Sequence, residues 1–360
     1  MSRKTEAIIH LNAFAHNLSQ VRVCAPKAKV LAMVKANAYG HGLIPVARAL
    51  VAAGVDALGV AVTQEALQIR EAGIIEPIWI LEGFFDKEEL EVIAREKLIA
   101  VLHDAHQLTL LKQYPLSSPL SVWIKVDTGM HRLGFHIDEI KAIVETLRAL
   151  PWVHIAGLMT HFSDADVPSR GKTKDQIQLF NTVAADYALP RCAGNSAGIM
   201  AFPEAQYEWV RPGLMLYGVN PLQENTKSHP LKVAMTLQSQ LISVKKIKQG
   251  ATVSYGSTWQ APHDTTIGVV AIGYGDGYPI HAKVGTPVLI QGQRYPIVGR
   301  VCMDMLVVDL GQGSHLRVAD SVTLWGESLS VTEIAECADT ISWDLLCSVM
   351  QRVTYHYQPF

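Results

Sequence analysis

Lys35 ends an uninterrupted apolar run, Val30–Val34, and is followed by Ala-Asn-Ala-Tyr-Gly-His-Gly. A lysine that terminates a buried strand is poorly hydrated. Desolvation lowers its pKa and turns the amine into a nucleophile able to form a Schiff base with a carbonyl compound. Position alone favours the plainer alternative, a side chain leading its ammonium out to solvent along an apolar stem. Three other groupings invite a chemical reading. His161, Asp164 and Asp166 are of metal-ligand type, but no further ligand constellation accompanies them, and we read them as strand-end and helix-cap residues with no metal. Gly273–Gly277 superficially suggests a dinucleotide loop. Pro279 follows and no helical pattern opens, so we read it as a plain loop. Cys302 carries a nucleophilic atom and is read as a small buried thiol.

The elements that must hold such residues follow from periodicity. In the first two-thirds of the chain, short apolar runs alternate with amphipathic stretches. The runs are Val30–Val34, Ala57–Val62, Ile78–Leu81, Ile99–Leu102, Val122–Val126, Ile155–Met159, a weaker Arg191–Asn195, and Val210–Tyr217. Between them Thr63–Ala72, Lys87–Lys97, Ala105–Tyr114, Asp138–Leu150 and Lys174–Tyr187 have helical spacing and mixed charge. This alternation predicts a (β/α)8 barrel of the TIM type, in which catalytic groups sit at the C-terminal ends of strands, where Lys35 lies. From about Val233 the texture changes. Alternating apolar and polar runs (Leu237–Lys245, Thr266–Ile272, Pro287–Ile290, Leu306–Leu310, Ser321–Trp325) are separated by Gly-rich turns, and helical spacing returns only at Val331–Ala338. We therefore expect a barrel domain over 1–230 and a mostly β domain over 231–360, joined by the polar segment Pro221–Pro230.

Bulk properties narrow the function classes. With 360 residues, two domains are the natural expectation. A net charge of −2 gives no electrostatic case for nucleic acid or an anionic membrane, and no apolar run is long enough to span a bilayer. Five cysteines, an odd number with no C-x-x-C pair, argue against a disulfide framework. The start, MSRKTEAIIHLNAFAHNL, has no continuous apolar segment of signal-peptide type. Both features predict a cytoplasmic location.

The stretch AMVKANAYGHG closely resembles the cofactor-lysine motif of alanine racemases, and the resemblance continues over nearly the whole chain. It includes KVDTGMHRLGF at Lys125–Phe135, THF at Thr160–Phe162, NSAG at Asn195–Gly198 and VRPGLMLYG at Val210–Gly218. In the second domain it includes VSYGSTW at Val253–Trp259, GYGDGYP at Gly273–Pro279 and VGRVCMDM at Val298–Met305. Such a series of ordered motifs is far more specific than any one of them. The resemblance implies an N-terminal barrel, a C-terminal β domain, pyridoxal 5'-phosphate as cofactor, alanine as substrate, and a homodimer with shared active sites.

Racemisation removes the α-proton from one face of a planar carbanion and returns one to the other, so it requires two acid/base groups on opposite sides. By resemblance these are Lys35 and Tyr255. A tyrosine with a pKa near ~10 needs cationic or hydrogen-bonding help to act as a base; His161 and Arg211 are the family's candidates for that network. Arg211 matches the residue that bonds the pyridine nitrogen, and its permanent charge should keep that nitrogen unprotonated, where many other pyridoxal-phosphate enzymes place an acid. Tyr39, Ser196 of the Asn195–Ser196 pair, and the N–H groups of Gly213 and Leu214 match the phosphate cup, with Tyr357 as a further member for which Tyr355 competes. Arg132 resembles the arginine that bonds the cofactor's phenolic oxygen and approaches the substrate carboxylate. Lys125 matches a lysine often carbamylated in the family, where the resulting anion orients that arginine. The Met303 N–H matches the substrate-carboxylate site, and Tyr274, Arg300 and Asp304 match residues of the access channel.

Three rival functions are distinguishable on residues. A fold-related pyridoxal-phosphate decarboxylase would carry an acidic partner for the ring nitrogen, against Arg211. A broad-specificity racemase shares the chemistry but is usually exported, and no signal peptide is read. A non-catalytic carrier of the cofactor resembles the barrel alone, against the second domain with Tyr255.

Overall fold

The computed structural model describes residues 3–224 and 229–359; residues 225–228 of the expected linker lie outside the described residues. The chain divides into two compact units. Ala13–Ala38 with Gly42–Leu231 form one, and Met1–Asn12, Tyr39–His41 and Lys232–Phe360 form the other. The first strand, β1 (Glu6–His10), is thus not part of the barrel, although residues from 1 onward were expected in that domain. Its burial alternates, with Ala7 and Ile9 fully covered, which suits a sheet with one covered and one open face rather than a strand buried on both sides.

Eight parallel strands close the barrel: β2 (Lys29–Met33), β3 (Ala57–Val60), β4 (Ile78–Ile80), β5 (Ile99–Leu102), β6 (Leu120–Lys125), β7 (Val153–Met159), β8 (Arg191–Cys192) and β9 (Trp209–Val210). Closure comes from β9 pairing with β2 through Lys29–Trp209 and Val30–Val210. All eight expected runs carry strands. The last is shorter than expected, because Pro212 lacks a ladder donor and residues Leu214–Tyr217 turn into a 3-10 helix. The strands read as continuous apolar runs because helices cover them outside and side chains fill them inside. Trp79, Trp123 and Trp209 cluster with ring centroids 4.3–6.4 Å apart. Gly157 is required there: a Cβ would lie 2.4 Å from the Trp123 ring. The helices begin where the sequence supplies caps. Asp86 accepts from the Glu89 N–H ahead of Lys87–Arg95, and Asp104 from the His106 N–H ahead of Ala105–Gln113. Helix Ile140–Arg148 buries Ile140, Ile143, Val144 and Leu147, one stripe at helical spacing.

In the other unit the long strand β10 (Met235–Ile247) organises the sheet. Its first half pairs with β1; past an irregularity at Leu241–Ser243, its second half pairs with a different partner. Further strands are β11 (Thr252–Val253), β12 (Trp259–Gln260), β13 (Thr265–Val270), β14 (Pro287–Ile290), β15 (Gln293–Pro296), β16 (Leu306–Gly311), β17 (Ser321–Trp325) and β18 (Thr354–Gln358). The order is β15-β14-β17-β10-β1-β18, with β13 on the distal half of β10 and β16 on β13. Helix Val331–Cys337 occupies its expected place, and a second, Ser342–Cys347, follows it. The architecture is therefore the expected barrel followed by a mostly β domain.

Candidate active site

The C-terminal ends of the barrel strands gather the cationic residues singled out by the sequence. Lys35 follows β2, Lys125 ends β6, His161 follows β7, Ser196 follows β8 and Arg211 follows β9. Arg211 is 5% exposed. Its guanidinium donates to the Thr160 carbonyl at 3.0 Å, to His161 Nδ1 at 2.7 Å and to Cys192 Sγ at 3.1 Å. None of these acceptors is an anion. His161 accepts on Nδ1, so its imidazole is neutral; lost hydration, then the charges of Arg211, Lys125, Arg132 and Lys35, hold its pKa well below the usual range. Burial, and then the same neighbouring cations, Arg211 first, push the Lys125 ammonium down to about 8. Cys192 stays a thiol, because burial raises its pKa more than Arg211 lowers it.

Among the described residues, Lys35, Lys125, Arg132 and Arg211 make no ion pair, and Asp127 offsets only part of the field at Lys125. Lys125 and Arg211 are buried, whereas Lys35 and Arg132 are exposed in the single chain, contrary to the expectation of a poorly hydrated Lys35. Gathering cations without a counter-charge is costly above all for the two buried ones. The arrangement fits an anionic ligand at the barrel mouth.

Backbone geometry around Lys35 is unusual. Ala36, Asn37, Ala38 and Tyr39 all have φ between 49° and 53°, a left-handed turn without a glycine in those four places. Each such residue costs about 1–2 kcal/mol, so neighbouring contacts must hold the turn. Asn37 Oδ1 accepts from the Leu43 N–H at 2.8 Å, and the Tyr217 hydroxyl donates to the Met33 carbonyl at 2.8 Å, fixing the end of β2. The loop that carries Arg132 is organised by Asp127, whose Oδ1 accepts from the N–H groups of Gly129, Met130 and His131. Gln176, 1% exposed, donates to the His161 carbonyl at 3.0 Å and accepts from the Ser163 N–H. Asp127 and Gln176 were not among the sequence candidates, although Asp127 lies inside one of the quoted motifs.

Of the expected phosphate donors, Ser196 Oγ accepts from the N–H groups of Gly213 at 3.0 Å and Met215 at 3.1 Å. The Gly213 N–H is thereby engaged within the protein, and the Ser196 hydroxyl keeps its own proton for an acceptor. Asn195 caps the helix Ser196–Ala201 through the Gly198 N–H. Asp164 pairs with Arg170, and Asp166 accepts from Gln223, so neither is left for a ligand.

Within the second unit, Tyr255 lies on a short turn where Ser254, Gly256 and Ser257 have positive φ. Ser254 Oγ donates to the Arg300 carbonyl at 2.7 Å and lies 3.4 Å from Cys302 Sγ. Cys302 is therefore half-buried beside this turn rather than enclosed in a core, contrary to the sequence reading. The loop at Gly273 packs on the same segment: the Tyr274 N–H donates to the Cys302 carbonyl and the Gly275 N–H to the Met303 carbonyl. A Cβ at Gly273 would lie 2.2 Å from the Cys302 carbonyl oxygen. Tyr255, Tyr274, Arg300 and Met303 are thus collected around one turn. Beneath it, the fully buried Asp276 binds Arg3 and Arg352, and Arg352 reaches Asp304 at 2.8 Å and the Met303 carbonyl at 3.1 Å. Neither arginine was singled out by the sequence. The Tyr355 hydroxyl donates to the Gly40 carbonyl at 2.9 Å, whereas the exposed Tyr357 stacks on Tyr355 with no acceptor for its own hydroxyl among the described residues.

Residues 9–221 match the family model "Alanine racemase, N-terminal domain" and residues 234–357 match "Alanine racemase, C-terminal domain". The alanine racemase of Coxiella burnetii is 45% identical over 99% of both chains, and that of Aeromonas hydrophila 46% over 98% of both. The biosynthetic alanine racemase of Pseudomonas aeruginosa superposes with a TM-score of 0.96 at 40% identity, covering 99% of this chain and 100% of that one. With both halves matched in order, and the motif residues placed at barrel strand ends and around one turn of the β unit, the chain belongs to the alanine racemase family.

Proposed function

We propose that this enzyme interconverts L- and D-alanine, with pyridoxal 5'-phosphate carried on Lys35 and with Lys35 and Tyr255 as its two acid/base groups. The observation that carries the reading is the set of cations around Lys35, which lacks a counter-charge among the described residues. A phosphorylated pyridine with a phenolate supplies that charge. The Ser196 hydroxyl, the Leu214 N–H, Tyr39 and Tyr357 would hold the phosphate, with the Gly213 N–H positioning the Ser196 hydroxyl instead of meeting the phosphate itself. Arg211 would hold the ring nitrogen and Arg132 the phenolic oxygen. When bound, this cofactor acidifies the α-hydrogen of an amino acid joined to it. The protein supplies the rest. The Lys35 amine takes or returns a proton on one side of Cα and the Tyr255 hydroxyl on the other. Arg211 and neutral His161 keep a further proton from the ring nitrogen, the Met303 N–H receives the substrate carboxylate, and Tyr274, Arg300 and Asp304 border the access channel.

Tyr255 is 72% exposed and Met303 54% exposed. Such exposure of the second base supports a homodimer in which a second copy covers this face. Among the described residues no helix is long and apolar enough to cross a membrane. Among the described residues no disulfide forms, which supports a reducing, cytoplasmic setting.

Reconstituted protein should turn yellow and drive the circular dichroism of L-alanine to zero. Borohydride reduction followed by peptide mapping should then leave the cofactor on Lys35, and Lys35→Ala should abolish both colour and tag. A tag on Lys125 or any other lysine would overturn the assignment.

Lys125 carries a pH-dependent prediction. The lysine is charged below its pKa of about 8 and neutral above it. Only the neutral amine adds to carbon dioxide, forming an N–C bond, releasing one proton and leaving a carbamate anion that offsets Arg132. With 13C-bicarbonate, a carbamate carbon resonance should grow as pH rises through about 8 and vanish in Lys125→Ala. A resonance unchanged in that variant would assign the carbamate elsewhere.

A further inference from the structure

We infer that Glu65 is a positioning residue for Lys35: its carboxylate clamps the left-handed turn that follows the lysine and so fixes the direction from which the amine reaches substrate. The inference rests on Lys35 being one of the two proton-transferring groups. Glu65 lies in the first turn of helix Thr63–Glu71, which begins without a side-chain cap. A glutamate there ordinarily reaches back to a backbone N–H at its own helix start. Glu65 does so with one oxygen only, Oε2, which accepts from the Ala61 N–H at 3.1 Å. Its other oxygen, Oε1, accepts from the Ala36 N–H at 2.6 Å and from the Asn37 N–H at 3.4 Å. Among the described residues it makes no ion pair, so its charge is balanced by three backbone donors.

Other contacts steady the turn farther along: the Ala38 N–H donates to the Val34 carbonyl, the Gly42 N–H to the Asn37 carbonyl and the Leu43 N–H to Asn37 Oδ1. Glu65 alone takes the N–H of the peptide directly after Lys35. That peptide's orientation sets ψ of Lys35, and directly after Lys35, at Ala36, begins a run of non-glycine residues in a conformation they disfavour. Without the carboxylate the turn has less to hold it left-handed, and a base on a long flexible stem loses its aim.

The test compares the reconstituted parent with Glu65→Ala and Glu65→Gln. The amide keeps an acceptor for the turn but faces the Ala61 N–H with a donor, so it should fold and fall between the other two. In Glu65→Ala, kcat should drop about 10- to 100-fold, the scale of a displaced catalytic group, with KM for alanine little changed. The primary deuterium isotope effect, measured with 2-deutero-L-alanine and 2-deutero-D-alanine, should rise in one direction only, that in which Lys35 takes the hydrogen. Without cofactor, amide exchange at Ala36 and Asn37 should quicken. Parent-like kcat in both variants, or isotope effects that rise equally in both directions, would overturn the inference while leaving the racemase reading intact. A parent that binds the cofactor but does not racemise alanine would instead overturn that reading, and amide exchange would still report the clamp.

Discussion

Arg211→Glu should slow alanine racemisation by about 10²- to 10³-fold, the usual cost of removing one preorganised charged donor from a catalytic site. The exchange turns a buried cation into a buried anion where three acceptors converge, the Thr160 carbonyl, His161 Nδ1 and Cys192 Sγ. The new carboxylate therefore captures a proton, or draws one onto His161. The imidazole is now held well below its usual range by lost hydration and by four cations, Arg211 foremost among them. Reversing the nearest charge should raise its pKa, and so should raise that of Lys125. Nitrogen NMR of His161 should show a neutral ring across the neutral range in the parent and a titrating ring in the variant. Arg211→Lys keeps the charge but loses the planar fork, and should retain more activity than the glutamate variant. If Arg211→Glu racemises alanine at the parental rate, Arg211 does not face the cofactor ring.

What could be read in advance differs by residue. Lys35, Lys125, His161, Ser196 and Arg211 were singled out because each lies in a motif resembling the family's. For Lys35 the apolar run before it also pointed to a strand end, where a barrel carries chemistry, although position alone favoured the plainer reading. The shape that aims Lys35 was not. A left-handed turn is normally announced by glycine, whereas Ala36, Asn37, Ala38 and Tyr39 give no such signal. Its partner Glu65 also looks like any acid in a first helical turn. Gln176 hides on the buried stripe of helix Lys172–Ala184, where a polar residue at a core position was the only clue. β1 and β18 were missed for a related reason: Glu6–His10 and Thr354–Gln358 are short, and β18 is largely polar and exposed, so only their pairing with each other and with β10 makes them strands. Arg3 and Arg352 acquire meaning only through the buried Asp276, 273 residues from Arg3 in sequence.

Mixing two inactive variants, Lys35→Ala and Tyr255→Phe, should restore activity. Lys35 belongs to the barrel unit and Tyr255 to the other, and Tyr255 is 72% exposed on a turn fixed to Arg300 and Cys302. In the single chain the Tyr255 ring is thus open to water. A second copy of the chain would both shield it and bring it cationic company. Where the tyrosine of one protomer serves the lysine of its partner, a mixed dimer contains one site with both defects and one with neither. Each such dimer should then approach about half the parental activity, because a defect confined to one site does not damage the other. Where the tyrosine serves its own chain, each site of the mixed dimer keeps one defect and mixing restores nothing. Two affinity tags, one on each variant, isolate the heterodimer and prove that subunits have exchanged. Activity in that doubly selected species, against near-silence in both parents of the mixture, is the expected result. A doubly tagged dimer that stays silent would place Tyr255 at its own chain's site and leave the racemase assignment standing.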